Sequence, residues 1–389
     1  MDFDFTPEQV MLREVARQFL AEQCPPRFAR QMMDDPLGYS DALWQEMAGI
    51  GLQGIAIDSA HGGQGLGMVE LALVLEEMGR AVYPGLYFAT VVLAATAIAA
   101  SEDRAKMDAY LPRIVTGKTK ATLALGEDTL AWGAEGVNLA ARREGQSYVL
   151  SGVKWFVPFA HVADVLLVAA RTTASSDARY GITLFAVEGR PPGLTVTPTV
   201  GIDRSSRDST LTFDNVCLLG EAVVGRVDEG WPILQAVLRR AAVGSAAEML
   251  GAARKCLELS VEYARSREQF GQPIGAFQAI KHLCADMLVE VENSHAATYY
   301  AGWALDAGAD DAALAASVAK SYVSEAARQV CGAAIQVHGG IGFTWEYDLH
   351  LLFKRAKYLE PLYGSAEDHR ELVLQEVLAP SADPVVARV

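Results

Sequence analysis

The chain has 389 residues, 51% hydrophobic and 21% charged, which makes it long enough for several packed units and too apolar for disorder. A formal net charge of −15 argues against nucleic-acid binding, because such a surface repels a phosphate backbone. The longest low-polarity stretch, Gly85–Ala100, falls short of the roughly 20 apolar residues that a bilayer demands, and the acidic opening MDFDF has no apolar leader. The expectation is a cytoplasmic protein without a membrane segment.

Residues 1–118 read as a helical domain. Thr6-Pro7-Glu8-Gln9 has the form of an N-cap followed by proline at the first helical position. Leu43–Ile50 and Met68–Arg80 carry apolar residues at helical spacing. Between them, His61-Gly62-Gly63-Gln64-Gly65-Leu66-Gly67 could cradle a phosphate, but no strand precedes it and no Lys-Ser/Thr follows. A tight loop between two helices is the preferred reading. Residues 119–225 change character. YVLSGVKWFV, ADVLLVAAR, ITLFAVE, LTVTPTV and STLTFDNV are β-branched or alternating runs between turn residues, and they predict a sandwich or barrel domain. Residues 226–389 return to helix. Long apolar-striped segments at Trp231–Ser266, Gly275–Ala307 and Asp311–Gly332 describe an antiparallel bundle, with a loosely held Pro- and Ala-rich tail. No strand–GxGxxG–helix unit is present, which sets aside Rossmann-type NAD binding. The cysteines Cys24, Cys217, Cys256, Cys284 and Cys331 show no ligand spacing, so neither a disulfide frame nor a metal site is expected.

Two segments narrow the function. Arg267-Glu268-Gln269-Phe270-Gly271-Gln272-Pro273-Ile274, with Phe277-Gln278 after it, resembles the R-x-x-F-G-x-x-I…F-Q segment of the acyl-CoA dehydrogenase family. Gln336-Val337-His338-Gly339-Gly340-Ile341-Gly342-Phe343 resembles that family's Q-x-x-G-G-x-G-[FY] segment. The opening TPEQ, the HGGQGLG stretch and Val153-Lys154-Trp155-Phe156 extend the likeness over nearly the whole chain. Taken alone, Arg267 reads as a surface helix charge and Gly339-Gly340 as a helix C-terminal turn; their joint order carries the resemblance.

The resemblance implies an α+β fold: an N-terminal helical domain, a middle β domain and a C-terminal four-helix bundle. It also implies FAD held between subunits of a dimer or tetramer, an acyl-CoA substrate in lipid metabolism, and electron-transfer flavoprotein or a similar acceptor. Arg267 suits a pyrophosphate through charge-assisted bonds. Gly339 and Gly340 allow backbone amides to approach a phosphate or ribose. Gln278 and Gln336 suit adenine or ribose edges. Phe270, Val337, Phe156, Val157, Ser365 and Glu367 fall among the cofactor-binding positions, and Trp155 corresponds to the aromatic that packs against the flavin.

The chain departs from the family where chemistry is expected. The usual base is the Glu of Y-E-G-T-x-x-x-x-R. Here Leu362-Tyr363-Gly364-Ser365 leads to Arg370, which puts Tyr363 at the base position. An unperturbed tyrosine is ionised to only about one part in a thousand at pH 7. The alternative base site, on the first bundle helix, falls near Ala241 or Ala242. Glu248 lies seven residues beyond Ala241, about 10 Å along a helix, and serves as an alternative base or as a buried ion-pair partner. The family's T-E-P-x-A-G-S-D loop is replaced by Gly126–Gly133, in which Glu127 alone matches. Three functions stand open: dehydrogenation of a bulky or branched acyl-CoA with a displaced base, a subunit lending half of an FAD site to a homologue, and other thioester chemistry such as elimination.

Overall fold

The computed structural model describes residues 4–378, and the expectation for the Ala379–Val389 tail falls outside them. Helices, strands and helices follow one another as the sequence zoning predicts. Thr6 caps α1 (Pro7–Gln23) reciprocally. Its hydroxyl accepts from the Gln9 amide at 3.3 Å, and the Gln9 side chain accepts from the Thr6 amide at 3.0 Å. α2 (Pro26–Asp34), α3 (Asp41–Gly49) and α4 (Met68–Ala81) follow. In the glycine-rich segment the amides of Gly63, Gln64, Gly65 and Leu66 donate to the carbonyls of Asp58, Gly54, Ile57 and Ile55. Those donors are spent on the chain itself, which leaves a packed loop with no cradle for phosphate. The Gly85–Ala100 segment forms a π-helical stretch, Phe88–Ala95, that runs into α5 (Thr96–Ala100), and α6 (Arg104–Val115) completes the unit.

Eight strands form one mixed sheet: β1 (Ala121–Ala124), β2 (Ala140–Glu144), β3 (Ser147–Pro158), β4 (Val165–Arg171), β5 (Ile182–Glu188), β6 (Leu194–Thr199), β7 (Asp208–Leu219) and β8 (Val223–Val224). The order is β6-β7-β3-β2-β4-β5-β8, with β1 parallel to β4. The continuous apolar runs of β4 and β5 have a physical cause. Val165, Leu167 and Ala169 face the main helical core, whereas Leu166, Val168 and Ala170 face a second core inside the sheet domain. β3 and β7 lose register between Lys154 and Val157, a bulge that turns Trp155 outward and holds Phe156 at φ 52°.

The last unit contains α7 (Gly230–Ser266), a two-residue hairpin of β9 (Glu268–Gln269) and β10 (Gln272–Pro273), α8 (Gln278–Ala307), α9 (Ala312–His338), α10 (Leu349–Leu359) and α11 (Ala366–Leu378). α7, α8 and α9 pack together, α10 lies on α7 and α9, and α11 lies on α9. α4 crosses α7 at two glycines. A Cβ on Gly79 would stand 1.9 Å from the Glu248 carbonyl oxygen, and one on Gly251 would stand 1.8 Å from that of Glu76. The helices therefore meet backbone to backbone, and this contact fixes the turn of α7 that carries Glu248.

Candidate active site

α10 and α11 are joined by a short link that presents Tyr363 at φ 60° and Gly364 at φ 107°. The Tyr363 ring stacks on Phe88 with centroids 5.6 Å apart and packs tilted against Trp132 at 5.2 Å. His369 of α11 lies 3.0 Å from the Tyr363 carbonyl oxygen and pins the link from behind. Burial drives the Tyr363 hydroxyl well above its ordinary range, and the nearby charges of Asp208 and Glu248 push the same way. Tyr363 is thus a protonated phenol. It lines a cavity of about 600 Å³ with Trp132, Ala242, Ala316 and Ser317, whose mouth carries Arg179, Arg239 and Gln375. The small residues of Gly85–Ala100 do not line this cavity. Ala89, Val91, Val92, Ala94 and Ala97 are packed in the main core, and the small wall residues come from α7 and α9.

Glu248 is not among the cavity's lining residues. Its carboxylate is buried and accepts from Arg355 Nη1 at 3.2 Å. The same guanidinium donates through Nε to Asp203 at 2.6 Å, and through Nη2 to Ser205 Oγ at 2.9 Å and the Tyr83 carbonyl at 3.0 Å. Burial raises the Glu248 carboxyl, and Arg355 opposes this only in part. Burial also weakens the Arg355 charge, but Asp203 and Glu248 more than restore it. One arginine therefore ties the N-terminal helices, the sheet domain and the bundle together. Nearby, burial lifts Asp208 to about 6, with Tyr358 Oη donating to it at 2.9 Å.

The replaced loop has its own anchor. Glu127 Oε1 accepts from the amides of Asn138 and Leu139, both at 2.9 Å, and from Lys154 Nζ at 2.7 Å. Lys154 also donates to the Leu125 carbonyl at 3.0 Å, which closes both arms of the loop that delivers Trp132. Burial lowers the Lys154 ammonium to about 8, although Glu127 opposes the shift. The sequence signal for this anchor is a lysine in the strand, Lys154, and an isolated glutamate in the loop, Glu127.

Of the other cofactor candidates, Arg267, Phe270, Gln278, Gln336, Val337, Gly339 and Gly340 lie at the far end of the bundle, whereas Trp155, Phe156 and Val157 lie on β3 and Ser365 and Glu367 beside Tyr363. Tyr263 on α7 stacks on His338 of α9 at 4.4 Å, bringing the Arg267 end of α7 beside the Gly339 turn. Arg267, Phe270, Gln278, Gln336, Gly339 and Gly340 are all exposed there. Phe270 is 93% exposed, and nothing lies within 4 Å of a Cβ built on Gly339 or Gly340. An open backbone beside free amide and guanidinium groups fits a dinucleotide's phosphates and adenosine. Val337 and Val157 turn their side chains into the cores, leaving only backbone for a ligand. Trp155 is 39% exposed, and it and Phe156 offer aromatic surface at the β3 bulge. Ser365 caps α11, its hydroxyl bonded to Asp368 at 2.9 Å, and exposed Glu367 pairs with Arg370 at 3.2 Å. Arg267, just past the end of α7, stands 25 residues beyond Ala242, about 37 Å along the helix axis.

No helix among the described residues is long and apolar enough to cross a membrane, and no candidate metal cluster occurs among them. Comparison with known proteins matches "Acyl-CoA dehydrogenase, N-terminal domain" to residues 6–118, the "middle domain" to 122–216 and the "C-terminal domain" to 228–378. The chain is 30% identical to the probable acyl-CoA dehydrogenase YngJ of Bacillus subtilis over 97% of this chain and 100% of the relative. It is 27% identical to CarC, a subunit of the caffeyl-CoA reductase–Etf complex of Acetobacterium woodii, over 96% of this chain and 99% of CarC. Butyryl-CoA dehydrogenase from Megasphaera elsdenii superposes with TM-score 0.89 at 28% identity, covering 97% of this chain and 100% of its own. The Tcur3481-Tcur3483 steroid ACAD gives 0.84 at 33% identity, covering 95% and 97%. The ChsE4-ChsE5 complex of Mycobacterium tuberculosis gives 0.87 at 27% identity, covering 98% and 100%. With three successive domain matches and the fold in agreement, the chain belongs to the acyl-CoA dehydrogenase family and is one of its FAD-dependent flavoprotein oxidoreductases.

Proposed function

We propose that this chain works in a heteromer with a homologous catalytic subunit, dehydrogenating an acyl-CoA thioester between its α and β carbons. The partner supplies the carboxylate base, and this chain completes the partner's FAD site with Arg267, Gln278, Gln336, Gly339 and Gly340. One observation carries the reading. Tyr363, which the family resemblance aligns with the base, is buried and protonated, while Glu248 is engaged by Arg355. Abstraction of an α-proton needs an ionised base in hydrogen-bonding reach, and neither residue offers one. FAD, when bound, supplies the hydride acceptor. The chain's own contribution is to bind its phosphates and adenosine and to exclude water where Phe88, Trp132 and Tyr363 close together. The similarity to the ChsE4-ChsE5 complex supports a pair of unlike chains.

The acyl group is bulky or ring-bearing. The supports are the small residues Ala242, Ala316 and Ser317 around a cavity of about 600 Å³, and 33% identity to a steroid ACAD. The electron acceptor is an electron-transfer flavoprotein, by analogy with CarC. Free thiols at all five cysteines suit a reducing cytoplasm. Equal or faster turnover of butyryl-CoA than of a steroid side-chain thioester by the assembled enzyme would reject the substrate class. The subunit role is tested by installing the missing group. In Tyr363→Glu the chain alone should gain acyl-CoA-dependent flavin reduction, since a positioned base is worth about 10²–10⁴-fold. Rapid reduction in the unaltered chain, lost in Glu248→Gln, would instead make Glu248 the base.

A further inference from the structure

A second cavity, of about 290 Å³, lies where α1, α4, α7 and α10 meet. It shares no lining residue with the Tyr363 cavity. Lys255, at its edge, stands 13 residues beyond Ala242 on α7, about 20 Å away. Its walls are apolar: Leu20, Cys24, Val82, Leu351 and Leu352 are all buried. Burial pushes the Cys24 thiol up to about 12, so it contributes no charge.

The charged residues that line it are paired, with one exception. Arg17 donates to both Glu77 oxygens, at 3.0 and 2.7 Å. Arg80 donates to both oxygens of Glu258, and Asp348 accepts from Arg30 at 2.9 Å. Among the described residues Lys255 forms neither an ion pair nor a hydrogen bond, though it lines the cavity and is half-buried. Its ammonium reaches solvent at the mouth of an apolar interior, with Glu258 near enough to feel its charge, and it is the lining cation left without a hydrogen bond among the described residues. A polar molecule would find the other charged lining residues, Arg17, Glu77, Arg80 and Asp348, already paired. A hydrocarbon without a head group would leave the ammonium as it is. A coenzyme A thioester is far larger than the space.

We propose that this cavity binds a medium-chain carboxylate, its head group on Lys255 and its tail among Leu20, Cys24, Val82, Leu351 and Leu352. Calorimetric titration of decanoate into the purified FAD-loaded protein tests this. Saturable binding is expected, weakened roughly 10-fold in Lys255→Gln, as for a lost charge-assisted hydrogen bond. Ala21→Trp, at an exposed lining position on α1, should block the cavity while leaving flavin content and unfolding midpoint unchanged. Decylamine, with the same tail and the opposite charge, should not bind. The absence of saturable decanoate binding, equal binding of decylamine, or binding unaltered by either substitution would overturn the assignment. The last result is also what entry into the Tyr363 cavity would give.

Discussion

The two ends of the bundle are built differently. At the Arg267 end, side chains able to hold phosphates and adenosine lie exposed around an open glycine turn, and Phe270 projects almost fully into solvent. At the Tyr363 end, aromatic rings pack on one another, a histidine clasps the backbone, and a single arginine engages two carboxylates. One surface is open, and the other is satisfied within the chain. A site satisfied within the chain can still lack an ionised base, and on the proposed function the neutral phenol of Tyr363 is such a case.

The contrast can be broken from either side. Arg355→Ala should have the largest effect, because it strands two buried carboxylates and should cost about 3–5 kcal/mol. Urea unfolding would show this, and a loss below about 1 kcal/mol would mean that the closed end does not depend on the arginine. Arg267→Ala should leave the unfolding midpoint nearly unchanged while weakening FAD retention about 10- to 100-fold, read from flavin absorbance after gel filtration. Unchanged flavin content would remove Arg267 from the site.

Protonation sharpens the comparison further. Burial lifts Asp208 from 3.8 to about 6, with Tyr358 opposing the shift only in part. Between those values the folded state holds a proton that the unfolded chain has released, so this group's contribution to stability falls as pH rises from about 4 to 6. Asp208→Asn should remove that slope and stabilise the protein at pH 7 by about 1–2 kcal/mol. Paired unfolding curves at pH 4.5 and 7 would measure it, and an unaltered pH slope would contradict it. The smallest effect belongs to Tyr363→Phe. The hydroxyl makes no hydrogen bond among the described residues, so stability should change by less than about 0.5 kcal/mol and flavin content not at all.

The order of helices, strands and helices was legible because it rests on local periodicity. β4 and β5 announced themselves as continuous apolar runs, since both faces of each strand are covered. The Arg267 and Gln336 segments were readable because each lies within one short stretch. The closed end was not. Arg355 reaches Glu248 and Asp203 across 107 and 152 residues, and no periodicity joins positions that far apart. Trp132 meets Tyr363 only because Lys154 and Glu127 shape the loop between them. The small residues of Gly85–Ala100 pack closely in the main core.

The central claim is that this chain completes a cofactor site and does not supply the base. Stopped-flow flavin reduction by an acyl-CoA addresses it most directly, with the chain alone and after co-purification with a homologous subunit that carries the glutamate. Negligible reduction by the chain alone is expected, with rapid reduction by the pair that is lost in Arg267→Ala and retained in Tyr363→Phe. A fully flavinated chain that is rapidly reduced by itself, and silenced by Tyr363→Phe, would contradict the account.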